Sequence, residues 1–316
     1  MINNKEKKFM SAVVYLHNNE NQIEYFLTTV LEVFENNYDK YEIILVDDAS
    51  TDNTVRKVHG IAEKSTGGVI TVVNMSFYQG IEKSMNAGVD LAIGDFVYEF
   101  DSVEIDYDSK LIMDIYYKAQ EGFDIVFASN KNEKLSSKLF YYIFNLNNEN
   151  KIVTQTFSII SRRAINRVKS NTLTIPYRKA VYQNSGLATS VLFYKSTNNK
   201  AKNIIDQKSL RFDNGITSII LYTNHAYRFA MLLAIVMMVA TFLGIIYSLI
   251  IYSIGIPIEG YTTTMLVITT SFCALFILIA IVIKYADIIL NLMYKKQSYL
   301  IKSVDKLSNR GDLWFI

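Results

Sequence analysis

Between Phe229 and Ile258 the chain carries no charged side chain, and a second uncharged run covers Gly260–Ile283 with only Glu259 between them. Each run exceeds the roughly 20 residues that cross a bilayer core. A pair of helices buried in a large soluble core is the alternative, but a soluble helix of that length normally keeps a polar face. The runs therefore divide the chain between two solvents. The connector "SIGIPIEGYTTT" has no Lys or Arg, whereas Lys284, Lys295, Lys296, Lys302, Lys306 and Arg310 follow the second run. That asymmetry places the tail in the cytoplasm. Two spans return the amino-terminal part to the same side, so the expected location is the inner membrane, multi-pass, with the large domain and the tail cytoplasmic. The start "MINNKEKKFM" has no apolar stretch after it, which is not the pattern of a signal peptide. The expected organisation is a cytoplasmic domain over 1–203, an interfacial segment over 204–228, a two-helix transmembrane domain over 229–294 and a basic tail over 295–316.

Composition narrows the chemistry. A net charge of +2 gives no support to nucleic-acid binding. The single cysteine, Cys273, excludes an internal disulfide framework and a cysteine-rich zinc site. The three histidines, His17, His59 and His225, lack metal-ligand spacing.

The first part of the chain alternates between two periods. "FMSAVVYL", "YEIILVD", "GGVITVVN", "DFVYEFD" and "FDIVFAS" read as buried strands. "QIEYFLTTVLEVFEN", "TVRKVHGIAEK", "GIEKSMNAGVDLAI" and "SKLIMDIYYKAQ" carry helical spacing between them. Such alternation predicts an α/β domain with a mainly parallel sheet covered on both faces. Ligands in these sheets bind outside the carboxyl ends of the strands. The stretch from Leu135 to Lys208 mixes both patterns and is assigned only as the acceptor side of the domain.

Two acidic clusters fall at predicted strand ends. In "LVDDASTDNT", Asp47 and Asp48 close the second strand, ahead of Ser50, Thr51 and Asp52. Capping of the next helix accounts for the later residues, but less well for an aspartate pair on the strand itself. A carboxylate there can accept hydrogen bonds from a nucleobase or ribose. In "YEFDSVEIDYD", Asp101 closes the fourth strand, and Glu104, Asp106 and Asp108 follow. A nucleotide lying across both clusters would bring its diphosphate to Asp101, and a hard divalent cation would be needed between the two anions. Neither GxGxxG nor GxxxxGK[ST] occurs, which argues against a dinucleotide oxidoreductase and a P-loop NTPase.

"SAVVYLHNNE", "YEIILVDDASTDNT", "NAGVDLAIGDFVYEFD" and "SIISRRAINRV", taken in order, resemble glycosyltransferase family 2 with its GT-A (Rossmann-like) fold. With "DNGITSI", "YADIILNLMYKKQSYLI" and the two uncharged runs, the chain looks like the branch that includes dolichol-phosphate mannose synthase and bacterial undecaprenyl-phosphate glucosyltransferases. The resemblance implies an inverting, membrane-anchored transferase for cell-surface glycan synthesis or modification. Its partners would be a nucleotide-sugar donor, a polyprenyl phosphate acceptor and the membrane, and paired spans are compatible with a homo-oligomer. It implies that Asn18, Glu20, Asp47 and Asp48 line the nucleotide site. Asp101 would take the first position of the metal motif, for Mg2+ or Mn2+, and Ser161 and Arg162 would match an acceptor-side Ser-Arg element, which makes Asp101 and Arg162 the expected catalytic pair.

The departures are clustered. Val103 stands at the second metal aspartate, Thr156 at the acceptor-side acid, Ser158 at its arginine, and "SNKNEK" replaces an expected basic pair. Glu104 is the nearest carboxylate that could complete the metal site with Asp101, if the loop bends back. The other reading of Glu104, Asp106 and Asp108 is a solvated, helix-capping loop. Two functions remain open: the transferase, and a degenerate relative that binds nucleotide-sugar, lipid or protein without turnover.

Overall fold

The computed structural model describes residues 5–65, 67–131, 155–170, 178–183, 185–196 and 299–307, with isolated helical positions between 236 and 289. Eight strands form one sheet: β1 (Met10–Leu16), β2 (Tyr41–Asp47), β3 (Val69–Met75), β4 (Phe96–Phe100), β5 (Ile125–Asn130), β6 (Phe157–Ser161), β7 (Thr189–Tyr194) and β8 (Ile301–Lys306). Their order is β7-β5-β6-β4-β1-β2-β3-β8. Only β6 and β8 run against the rest. The predicted mainly parallel α/β sheet is therefore observed.

Alternation along each strand sorts the core into two layers. On β1, Met10, Ala12, Val14 and Leu16 join one cluster while Val13 and Tyr15 join the other. The first layer packs against α1 (Ile23–Asn37), α2 (Thr54–Ala62) and α4 (Lys110–Gln120). The second packs against α3 (Ile81–Leu91), α5 (Arg162–Ser170) and α6 (Arg178–Gln183). In α1 the buried Ile23, Phe26, Leu27, Val30, Leu31 and Phe34 form the stripe that helical spacing predicted. α3 lies close on β1 and β2, because a Cβ at Gly88 would come within 2.4 Å of Val13.

Chain order reverses at β1, with β2 on one side and β4 on the other. That switch point opens a crevice at the carboxyl ends of β1, β2 and β4. β6 is antiparallel, so Phe157 opposes Phe100 at this edge while Ser161 opposes Phe96 at the far edge.

The tail supplies an unexpected strand. β8 pairs antiparallel with β3, so residues 301–306 are part of the sheet rather than a free basic extension. The chain divides into two compact units, Met1–Asn214 with Gln297–Ile316, and Gly215–Lys296. In the second unit the described positions are helical, and Val236, Ile268, Leu275, Ile279, Val282 and Ile289 are exposed. Among the described residues no helix is long and apolar enough to cross a membrane. The interfacial segment 204–228, most of both uncharged runs and the end of the tail lie outside the described residues.

Candidate functional site

One end of the crevice, which holds the four residues expected to line a nucleotide site, is built where the β1–α1 and β2–α2 loops lace together. Asn18 and Ala49 both adopt the left-handed region, with φ of 51° and 56°. This costs a non-glycine residue on the order of 1–2 kcal/mol. Cross-loop hydrogen bonds hold Asn18 there: its N–H donates to Ser50 Oγ at 3.0 Å, and its Oδ1 accepts from the Thr51 N–H at 2.9 Å. Glu20 is used the same way. Its Oε2 accepts from the Asn53 N–H at 3.0 Å, and its own N–H donates to Asp52 Oδ2 at 3.0 Å. Asn18 and Glu20 therefore latch the two loops to each other. Asp52 also accepts from the Thr54 N–H, as expected of a residue at a helix start.

The adjacent aspartates divide their work because strand alternation turns them to opposite faces. Asp48 is fully buried, and its carboxylate accepts from the Gln79 and Gly80 N–H groups at 2.7 and 2.8 Å and from the Tyr15 hydroxyl at 3.1 Å. It thereby pins the loop that opens α3. The His17 ring donates from Nδ1 to the Asp48 carbonyl at 2.7 Å and packs on Tyr78, with centroids 4.6 Å apart. Asp47 is different. Its Oδ2 accepts from the Ser50 N–H at 3.2 Å, but its Oδ1 is buried with no partner. Burial raises the Asp47 carboxyl above its ordinary range, and the Ser50 bonds offset only part of this. An unsatisfied buried acceptor costs about 1–3 kcal/mol, a cost that an incoming N–H or O–H donor relieves.

Asp101 directly follows β4, beyond β1 from Asp47. Two strand spacings separate them, about 10 Å. Its surroundings are cationic: Oδ1 accepts from Arg178 Nη2 at 2.7 Å, and Oδ2 pairs with Lys179 Nζ at 2.6 Å. Arg178 is 0% exposed. It also reaches Glu99 Oε2 at 2.8 Å and Glu82 Oε2 at 3.2 Å. Tyr182 donates its hydroxyl to Glu99 Oε1 at 2.7 Å. Burial pushes the Glu82 carboxyl up against the pull of Arg178. Burial also pushes the Asp101 carboxyl up, but Lys179 and Arg178 outweigh it and hold that carboxyl at about 2.

These residues do not fit a divalent cation. Both oxygens of Asp101 are already paired with cations. Val103 is 2% exposed and belongs to the core that includes Phe100 and Phe157. An inward Val103 turns Glu104 outward, and the side chain of Glu104 is exposed. Asp106 accepts from Tyr194 and Asn130, and Asp108 accepts from the Lys110 N–H at the start of α4. The loop after Asp101 therefore follows the capping reading and does not bend back. Among the described residues no cluster of three His, Cys, Asp or Glu side chains could hold a metal. Of the expected metal pair, Asp101 is thus held by Arg178 and Lys179, and Glu104 is exposed.

Arg162, the other expected catalytic residue, lies away from these groups. It follows β6 at the far edge of the sheet, beside the start of β4. Its Nε and Nη2 both donate to the Gly94 carbonyl, at 2.9 and 2.7 Å. Ser161 donates to Asp124 and accepts from the Ala164 N–H, so it starts α5. The antiparallel direction of β6 carries this pair away from the crevice and brings Gln155 and Thr156 to it. Lys179 Nζ donates to the Gln155 carbonyl at 3.2 Å, while both polar atoms of the buried Gln155 side chain lack partners. Sequence reasoning missed Arg178, Lys179, Glu82, Glu99 and Gln155. Glu99 alone carried a signal, as a charge within the apolar strand "FVYEF".

The profile of the family described as glycosyl transferase family 2 matches residues 11–169. An uncharacterized glycosyltransferase of Synechocystis is 30% identical over 169 residues, covering 51% of this chain and 52% of the relative. A prophage bactoprenol glucosyl transferase homolog of Escherichia coli is 29% identical over 171 residues, covering 51% and 54%. The chain thus spans about half the length of these two curated relatives. Among solved structures, glucosyl-3-phosphoglycerate synthase from Mycobacterium tuberculosis, in complex with Mn2+, UDP and phosphoglyceric acid, superimposes with a TM-score of 0.51 at 15% identity. It covers 67% of this chain and 78% of that one. This last likeness is one of fold.

Proposed function

The chain belongs to glycosyl transferase family 2, and from that premise we propose that it transfers a sugar from a nucleotide-sugar to a polyprenyl phosphate at a membrane surface, with inversion. The observation that carries the donor half is the orphaned Oδ1 of Asp47, a buried acceptor at the switch-point crevice. A nucleobase N–H would satisfy it, and the diphosphate would then extend across β1 toward Asp101 and Lys179.

The chemistry asks little of an acid or base. A phosphate monoester is largely dianionic near neutral pH because its second pKa is about 6. Its oxygen attacks the anomeric carbon, the bond from that carbon to the diphosphate breaks, and the nucleoside diphosphate leaves with the electron pair. Attack from the face opposite the diphosphate inverts the anomeric centre. No proton need be removed from the nucleophile, so Thr156 in place of an acid is compatible with turnover.

The acceptor half rests on three supports. The E. coli relative is named for bactoprenol. The uncharged runs at 229–258 and 260–283 are long enough to span a membrane. Residues 215–296 leave the first unit and the chain then rejoins it, so an even number of crossings keeps the sheet and its β8 on one side. The positive residues after the second run favour the cytoplasmic face. Transfer of radiolabelled sugar from a panel of nucleotide-sugars into undecaprenyl phosphate, in membranes containing the full chain, tests this reading. Incorporation with one donor is expected.

A second reading is favoured by the pairing of Asp101 with two cations and the burial of Val103: a relative that binds nucleotide-sugar without turnover. Nucleotide binding with no incorporation from any donor would select it.

A further inference from the structure

We propose that the Lys179 ammonium bridges Asp101 to the diphosphate of the bound nucleotide, so that this chain binds its donor without a divalent cation. The inference rests on the donor-site reading above. Asp101 stands at the crevice where an anion bound along β1, β2 and β4 would meet a carboxylate, and the two repel unless a cation lies between them. Two cations are present, and they are not equivalent. Arg178 is fully buried, and its guanidinium is divided among Glu82, Glu99 and Asp101. With no part of it exposed, it presents no surface to a ligand. Lys179 sits on a flexible stem, and its side chain is 13% exposed. Two of its three ammonium protons point to Asp101 Oδ2 and to the Gln155 carbonyl. Among the described residues nothing takes the third, which a phosphate oxygen would accept.

Gln155 supplies an independent observation. Its side-chain amide is buried, and both its nitrogen and its oxygen lack partners. An unsatisfied buried amide is costly, and a donor–acceptor pair on the residue that Lys179 grips is what a polar ligand would complete. Arg178 has its own part here. By holding Asp101 from the buried side, it fixes the carboxylate that positions Lys179. Val103 closes the other route, because the core holds the chain where a second aspartate would have to reach back.

The test uses the full chain in detergent, with UDP and GDP titrated calorimetrically in excess EDTA and again in Mn2+. One of the two nucleotides is expected to bind with the same affinity in both conditions. Lys179→Ala should weaken that binding by about tenfold or more, the scale of a charge-assisted hydrogen bond. Lys179→Arg should stay within a few-fold of the parent. Circular dichroism of both variants separates a lost contact from a lost fold. Binding that requires Mn2+ and ignores Lys179→Ala would overturn the inference and leave the donor site standing. No binding of either nucleotide in either condition would overturn the donor-site reading itself, and the inference with it.

Discussion

Gln79 grips Leu300 at both ends of its side-chain amide: Nε2 donates to the Leu300 carbonyl at 2.7 Å, and Oε1 accepts the Leu300 N–H at 2.9 Å. The backbone N–H of Gln79 is in turn held by Asp48 Oδ1. The residues just before β8 are therefore tied to Asp48 through Gln79, which lies 221 positions from Leu300 in sequence. Gln79→Ala should cost about 1–3 kcal/mol, the sum of two ordinary hydrogen bonds. Hydrogen exchange should show lost protection at residues 300–302 before any change at β1 or β2. Unchanged protection there would mean β3 alone holds the tail strand.

Asp47→Asn separates binding from stability. The change removes a buried carboxylate with one unsatisfied oxygen, so the melting temperature should stay level or rise. Nucleotide affinity should fall by about tenfold, because a hydrogen bond to a charged group becomes a neutral one. Calorimetric titration with UDP and GDP, beside thermal denaturation, reads both. A fall in both quantities together would assign Asp47 to the architecture only.

Arg178→Met should be the most damaging single change in the crevice. It leaves Glu82, Glu99 and Asp101 buried without their common cation. Breaking one side of such a network costs about 3–5 kcal/mol. Replacing Glu99 with Gln as well should recover part of the loss, because one uncompensated charge goes with it. Denaturant midpoints of the single and double variants provide the comparison.

Val103→Asp does not restore a metal site. It removes a core side chain worth about 1.5–3 kcal/mol on burial and puts a charge into the core layer that includes Phe100, Tyr107 and Phe157. Loss of stability with no gain in Mn2+ affinity is the expected result, read by thermal denaturation and by metal titration of the variant.

Acid stability follows the ion pair at Asp101. The carboxyl is held at about 2, below the ordinary 3.8. A depressed carboxyl stabilises the folded state above its unfolded value, and that contribution disappears as pH falls through the folded value. The shift corresponds to about 2 kcal/mol, present above roughly pH 4 and lost toward pH 2. Lys179→Ala removes the larger of the two charges that depress it, so acid unfolding should begin at higher pH in that variant. An unchanged acid midpoint would show that Arg178 alone holds the carboxylate.

Much of this protein was legible in its sequence because the relevant forces are local. Continuous apolar runs and helical spacing identified β1 to β5 and α1 to α4, since burying one face or two leaves its mark on neighbouring residues. The direction of those strands put Asp47, Asp48 and Asp101 on one edge. The helix-capping alternative for Asp108 was available for the same reason, as a side chain reaching the N–H two residues on.

What only the tertiary structure decided depends on contacts between distant segments. No spacing rule connects Arg178 to Glu82, Glu99 and Asp101, or Gln79 to Leu300. The antiparallel direction of β6 placed Arg162 at the edge opposite the crevice and Gln155 beside Lys179, because strand direction follows from pairing, which a linear pattern does not record. The sequence by itself determined the sheet and the edge that gathers Asp47, Asp48 and Asp101. The tertiary structure decided which charges meet Asp101, because a buried carboxylate takes whichever cations the fold brings to it, and here the fold brings Arg178 and Lys179.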